Sequence, residues 1–210
     1  MVFALDTCLN ACSVAVLDGE RVLAHACEAM TRGHQERLAP IAQAVMAQAG
    51  LAFERLDRIG ATVGPGSFTG LRVGVAFAKG LGSALSIPAV GVGTLEALAA
   101  EAGGLVAAAI DARREQVYLQ VFADGHALMA PGVLPVEAAH ARVAEFAMDR
   151  PLTLVGSGAA LLARAADTIL APEGCDARRV ARLAAAKAAT PIRPLYLRAP
   201  DARLPGGIAP

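Results

Sequence analysis

A chain of 210 residues with 55% hydrophobic content and a mean hydropathy of +0.49 has enough apolar surface for one large domain or two small ones, thoroughly buried. Lysine plus arginine and aspartate plus glutamate both number 19, and there is no basic run, no tryptophan and few aromatics. That composition excludes the electrostatic grip and the stacking platform by which a protein holds nucleic acid on its own. The apolar runs are strand-length, too short for a membrane helix, and Cys8, Cys12, Cys27 and Cys175 form no C-x-x-C pair, so they read as small buried residues in a reducing cytoplasm.

The chain opens on an apolar run from Val2 to Leu5 that ends at Asp6, a buried strand with a carboxylate at its end and no room before it for a signal peptide. A turn leads to a strand over residues 13–17, Asp18-Gly19 signals a hairpin, and a third strand covers 21–27. Leu38, Ile41, Ala42, Val45, Met46 and Ala49 then recur on one face of a helix that Gly50 ends, with Pro40 as a kink or the true start.

Residues 58–63 form the next buried strand, and Gly64-Pro-Gly66 must turn. Ser67 or Thr69 is placed to cap a helix over about 70–86. Polar residues fall on a thin stripe of this helix (Arg72, Lys79, Ser83, Ser86), so it is covered on more than one side. Gly70, Gly74 and Ala78 form a small stripe that lets another helix come close. One side of the helix meets its own sheet and the other requires a partner. The expected partner surface is therefore Gly70, Arg72, Gly74 and Ala78 with parts of Leu38, Ile41 and Val45, and Gly74→Arg is expected to leave a folded monomer. The loop Gly64, Gly66, Ser67, Thr69 fits neither G-x-x-x-x-G-K-[ST] nor G-x-G-x-x-G, so it is either an anion site of another kind or a structural turn. A strand over 88–92 and a helix over 94–102 complete the order βββαβαβα.

The pattern then restarts. A strand over 105–110 ends at Asp111, a second covers 117–122, Asp124-Gly125 turns, and a short strand covers 127–130. Helices over 135–149, 159–170 and 176–189 and a strand over 152–155 follow, and the last stretch, 190–210, holds five prolines. The repeated order of strand, Asp, strand, Asp-Gly and strand reads as an internal duplication of topology with a degenerate second half. The division expected is 1–102 for the first lobe, 103–198 for the second and 199–210 for a flexible tail, with 194–198 docked on the body.

Two such halves can enclose a nucleotide cleft. Asp6, Thr7 and Ser13 would form a phosphate hairpin, with Asp111 as the counterpart carboxylate; alternatively each Asp satisfies turn N–H groups. His25, His34, His126 and His140 make no H-x-x-x-H pair, so no metal site is expected. No nucleophile–base pair stands out, and Asp111-Ala-Arg-Arg-Glu-Gln-Val-Tyr118 either bridges the halves or is solvated.

These stretches together resemble the bacterial TsaB (YeaZ) family. The likeness rests on Leu5-Asp-Thr-Cys8 with Ser13-Val-Ala-Val16, His34-Gln-Glu-Arg-Leu38 with Pro40, and Gly64-Pro-Gly-Ser-Phe-Thr-Gly-Leu-Arg-Val-Gly74. It continues through Ala78-Lys-Gly-Leu81, Gly91-Val-Gly-Thr-Leu-Glu-Ala-Leu98, Asp111–Tyr118 and Pro194-Leu-Tyr-Leu-Arg198. Residues 123–189 match weakly, and Cys8 stands where a serine is usual. The resemblance implies a two-lobed actin-like ATPase/RNase H-like fold and a part in forming N6-threonylcarbamoyladenosine in tRNA next to the anticodon. It further implies a non-catalytic cytoplasmic subunit that activates a TsaD-type homologue, works with a TsaE-type ATPase, pairs with itself when alone and meets tRNA only through the complex. No metal or cofactor is required on that reading, with ATP or ADP bound only at the complex interface. The competing expectation is a nucleotide-binding enzyme of the actin or sugar-kinase type, or a protease-like enzyme.

Overall fold

The apolar run at the start of the chain becomes β1 (Val2–Asp6), buried from Phe3 onward and central in a five-stranded sheet. A computed structural model describes residues 1–148, 150–165 and 167–198. β2 (Ala11–Asp18) and β3 (Arg21–Ala29) fold back antiparallel, and β4 (Arg58–Thr62) and β5 (Ala89–Val92) add in parallel, giving the order β3-β2-β1-β4-β5. A second sheet repeats this plan. β6 (Leu105–Arg113) pairs antiparallel with β7 (Gln116–Ala123), which is joined by β8 (His126–Ala127) and β9 (Gly132–Pro135). β10 (Thr153–Val155) and β11 (Thr168–Leu170) extend β6 in parallel. The duplication read from the Asp-terminated strands is therefore present as paired topology, and the fold is the two-sheet actin-like/RNase H-like one.

Alternation along β1 sends its neighbours to opposite cores. Phe3 and Leu5 pack outward with Val14, Val16 and Ile59 under α1 (His34–Gln48) and α2 (Phe68–Leu85). Ala4 faces inward with Ala15, Leu17 and Val90, onto α3 (Thr94–Ala99) and α6 (Ala177–Ala186), and that core continues into Val106, Ala108 and Ile110 of β6. α4 (Val136–Ala147) and α5 (Ala159–Leu162) cover the far side of the second sheet against Ala107, Ala109, Val117, Leu119 and Val121. The layers therefore run helix, sheet, helix, sheet, helix. Among the described residues no helix is long and apolar enough to cross a membrane.

Several expected bounds move. The helix expected over 159–170 ends at Leu162, because Arg164 and Asp167 close a turn (Arg164 N donates to Asp167 Oδ2 at 2.9 Å) and the β-branched Thr168 and Ile169 enter β11. The strand expected over 127–130 is β8 alone, with β9 following on the same neighbour. Pro40 lies inside α1, whose start is set by Gly33 at φ +86°. The expected helix limit Asp149 and the expected tail 199–210 lie outside the described residues.

The chain also crosses back. α6 comes from the 103–198 stretch yet packs on the first sheet, where Arg58 donates to Ala184 O (2.8 Å) and Lys187 O (2.6 Å) and so answers carbonyls at the helix end. Contact is close at Gly60 in β4, where an added Cβ would stand 2.6 Å from Ala184 Cβ. Gly60→Val is therefore expected to displace α6 and cost about 2–3 kcal/mol by overpacking. Urea unfolding would register that loss, and an unchanged midpoint would show that α6 is not seated there.

Candidate functional site

The turn between β1 and β2, the glycine loop and the segment entering α6 meet at one place. Asp6 is fully buried, and its carboxylate is bonded within the chain on both oxygens. Oδ1 accepts from Thr62 Oγ1 (2.6 Å) and Cys8 N (3.0 Å), and Oδ2 accepts from Cys175 N (2.9 Å). Burial pushes the Asp6 pKa up, and the Thr62, Cys8 and Cys175 donors work against that rise. Thr7 is buried and donates to Gly70 O at 2.7 Å. Ser13 is buried too: its Oγ accepts from Ala177 N at 3.1 Å and lies 3.2 Å from His25 Nε2. Asn10 N donates to Glu173 O at 2.9 Å. Residues 173–177 thus sit on the hairpin and engage the groups that would otherwise meet a phosphate. Of the two roles open to Asp6, satisfying backbone N–H groups is the one its contacts fit.

A cleft of about 550 Å³ opens beside this junction, between the two sheets, with Asn10, Ser67, Asp111, Arg113, Ser157 and Glu173 among its walls. Asp111 does not reach Asp6's environment. Its backbone N–H donates to Ser157 Oγ at 3.1 Å, and its carboxylate accepts from Arg113 N at 2.7 Å and pairs with the Arg113 guanidinium at 3.3 Å. Among the described residues no group of three His, Cys, Asp or Glu side chains could hold a metal ion.

The glycine loop serves close packing. A Cβ on Gly64 (φ +103°) would come within 2.5 Å of Leu71 Cδ1, and one on Gly66 within 2.3 Å of Cys8 O, which accepts from Ser67 N at 2.7 Å. Ser67 caps α2 by accepting from Gly70 N at 3.3 Å, while Thr69 stands exposed. The thiols of Cys8 and Cys12 are buried and pushed up to about 12 by desolvation, so both are unreactive at neutral pH. Cys27, expected to be buried, is exposed.

The expected partner surface needs correction. Leu38, Ile41 and Val45 are 1–3% exposed in the core beneath α1. Gly70, Gly74 and Ala78 are buried, the two glycines against the turn after β1: a Cβ on Gly70 would stand 1.9 Å from Thr7 O and one on Gly74 2.5 Å from Thr7 Oγ1. The close approach that the small stripe permits is thus to the chain's own turn after β1, and Gly74→Arg would break the core instead of leaving a folded monomer. Arg72 alone of those expected residues faces outward. The free side of α2 is the row Phe68, Arg72, Ala76, Gly80 and Ala84, and α1 in turn exposes Ala39, Gln43, Ala44 and Ala47. Sequence reasoning passed over that row although it carries the same signal, small residues four apart.

Sequence reasoning also missed the meeting of Phe68 with Tyr196, whose ring centroids lie 5.7 Å apart. The tail docks as expected, with Leu195 N donating to Val63 O at 2.7 Å. Arg198 donates to Ala112 O at 2.9 Å and to the Gln116 side chain, so residues 195–198 span from the first sheet to the second.

A family model described as TsaD, tRNA N6-adenosine threonylcarbamoyltransferase, matches residues 22–132. The tRNA threonylcarbamoyladenosine biosynthesis protein TsaB of Bacillus subtilis is 30% identical over 82% of this chain and 78% of its own length. Among solved structures, YeaZ from Pseudomonas aeruginosa superposes with a TM-score of 0.75 at 29% identity, covering 88% of this chain and 90% of that one. An activator of 2-hydroxyisocaproyl-CoA dehydratase from Clostridium difficile, with bound ADPNP, superposes at 0.51 with 11% identity over 87% of this chain and 93% of its own, a likeness of fold alone.

Asp6→Asn is expected to keep the Thr62 and Cys8 bonds and to set an amide N–H₂ against the Cys175 N–H. The unmatched donors should cost about 2 kcal/mol and speed amide hydrogen exchange at Cys175 and Ala177. Unchanged exchange there would show that the carboxylate does not hold this segment.

Proposed function

The chain belongs to the TsaB (YeaZ) family, and on that premise we propose that it serves the biosynthesis of threonylcarbamoyladenosine in tRNA as a scaffold. It binds and activates a TsaD-type homologue and does not itself carry out the transfer. The observation that carries this reading is the outward face of α1 and α2, where Ala39, Ala44, Ala47, Ala76, Gly80 and Ala84 are all exposed. Nothing lies within 4 Å of a Cβ placed on Gly80. Side chains this small let a second helix pair approach at short axial distance, where dispersion contacts accumulate. A partner of the same fold offers an equivalent pair, so a second copy of this chain competes for the same face. Homodimer and heterodimer are then mutually exclusive. A TsaE-type ATPase, ATP or ADP, and tRNA are met through the complex.

The hairpin supports the non-catalytic half of the proposal. An ATPase of the actin or sugar-kinase type needs free phosphate-binding groups there, and those of Asp6, Thr7 and Ser13 are already engaged within the chain. A protease-like reading rests on no observation of its own.

The test is reconstitution with the TsaD-type protein, tRNA and a threonylcarbamoyl donor: modification should rise on adding this chain and be nil with this chain alone. Ala76→Arg places a long cation on the open face and away from the core. It is expected to keep a wild-type circular dichroism spectrum, run as a monomer in size exclusion with light scattering, and lose stimulation by at least tenfold. A folded Ala76→Arg protein that stimulates as well as wild type would place the interface elsewhere.

A further inference from the structure

The outward row of α2 begins in a cluster that core packing does not explain. The Arg72 guanidinium lies over the Phe68 ring, 3.7 Å from its centroid. Its Nε donates to the Tyr196 hydroxyl at 3.0 Å, and the Tyr196 ring stands 5.7 Å from that of Phe68 with a 40° tilt. Both aromatic residues are 47% exposed. Arg72 is thus backed by one ring and hydrogen-bonded to the other, and it has given up much of its side-chain freedom before any partner arrives. Its terminal nitrogens remain for a planar acceptor, since among the described residues its polar partner is the Tyr196 hydroxyl and no carboxylate pairs with it. Aromatic and arginine side chains presented together are the composition in which binding energy concentrates at protein interfaces.

The charges on the face decide what it accepts. α2 carries two cations, Arg72 and Lys79, and no carboxylate, while α1 carries Glu36 and Arg37 in its first turn, Arg37 being paired with Glu28 of β3. Two copies meeting about a two-fold axis bring the cations of α2 together with no acid on either α2 to answer them. A nucleic-acid strand fits poorly too: the neighbouring cleft wall holds Asp111 and Glu173 against the cation Arg113, which is paired with Asp111, and the chain has no net charge with which to hold a polyanion. A single carboxylate, flanked by apolar atoms that lie on the two rings, satisfies the site. We infer that the Phe68–Arg72–Tyr196 cluster receives a carboxylate side chain of the heterologous partner and thereby selects that partner over a second copy of this chain. The inference rests on the scaffold reading above and names the residues that give it direction.

The experiment measures both assemblies for the same variants, the homodimer by light scattering and the heterodimer by titration calorimetry against the TsaD-type protein. Arg72→Gln, at an exposed position, should weaken the heterodimer roughly tenfold or more and leave the homodimer unchanged or tighter. Arg72→Lys should fall between, because an ammonium keeps the charge and loses the planar fork. Heterodimer affinity unchanged in Arg72→Gln, or both assemblies weakened by the same factor, would overturn the inference. Ala76→Arg run in parallel separates the two claims. If it abolishes both assemblies while Arg72→Gln leaves the heterodimer intact, the carboxylate receptor falls and the scaffold reading stands. If it leaves both assemblies intact, the face is wrong and both fall.

Discussion

The carboxylate of Asp6 is the point on which the rest of the structure depends. A carboxylate taken wholly out of water is costly unless its oxygens are hydrogen-bonded, and here the donors come from three distant parts of the chain. Thr62 stands at the end of β4, Cys8 in the turn after β1, and Cys175 just before α6. The bond to Cys175 spans 169 positions of sequence, and it brings the last helix onto the first sheet. Once α6 is there, Ala177 N reaches Ser13, Arg58 answers the far end of the helix, and the inner core closes across both sheets. Separating α6 from β1 would leave the carboxylate buried without a full set of donors, so a large relative motion of these elements is opposed at its origin.

The same constraint shapes the outer surface. Bringing Ser67 and Gly70 against Thr7 and Cys8 fixes the start of α2 and its rotation about its own axis. That rotation commits Gly70, Gly74 and Ala78 to the interior and turns Phe68, Arg72, Ala76 and Gly80 outward. The helix is small on both faces, and each face has its own use. One lets the turn after β1 come within van der Waals distance, and the other is exposed and, on the scaffold reading, receives a second helix pair. An all-apolar helix with polar residues on a thin stripe is what covering on two sides demands.

This explains how far the sequence could be read. Strand order, the hairpin signals and the duplication follow from local periodicity and from where Asp stands, and so β1 to β7 and the first two helices were legible within a few residues. The rotation of α2 was not. Stripes Gly70/Gly74/Ala78 and Ala76/Gly80/Ala84 differ by two positions in a helix and carry the same residue types; choosing between them requires knowing where Thr7 lies. The return of α6 was hidden for the same reason, since no local pattern tells a helix which of two sheets it will join. Asp6 was found, but its partner Cys175 is a backbone donor whose residue type gives no sign of the bond. Tyr196 was placed in a docked tail, yet its meeting with Phe68 and Arg72 depends on a contact 124 positions apart.

A two-sheet fold of this kind has a natural place for a ligand, the cleft between its halves, where strand ends and helix starts converge. In this chain the hairpin side of that place is met by residues 173–177 of the same chain. Glu173 O, Cys175 N and Ala177 N satisfy Asn10, Asp6 and Ser13 in the manner of a ligand that never leaves. These bonds tie the hairpin to the segment that leads into α6. A surface already held in one arrangement loses little freedom when it binds. On the scaffold reading proposed above, a docking face needs such a held surface, and the donors gathered on one buried carboxylate help to hold it.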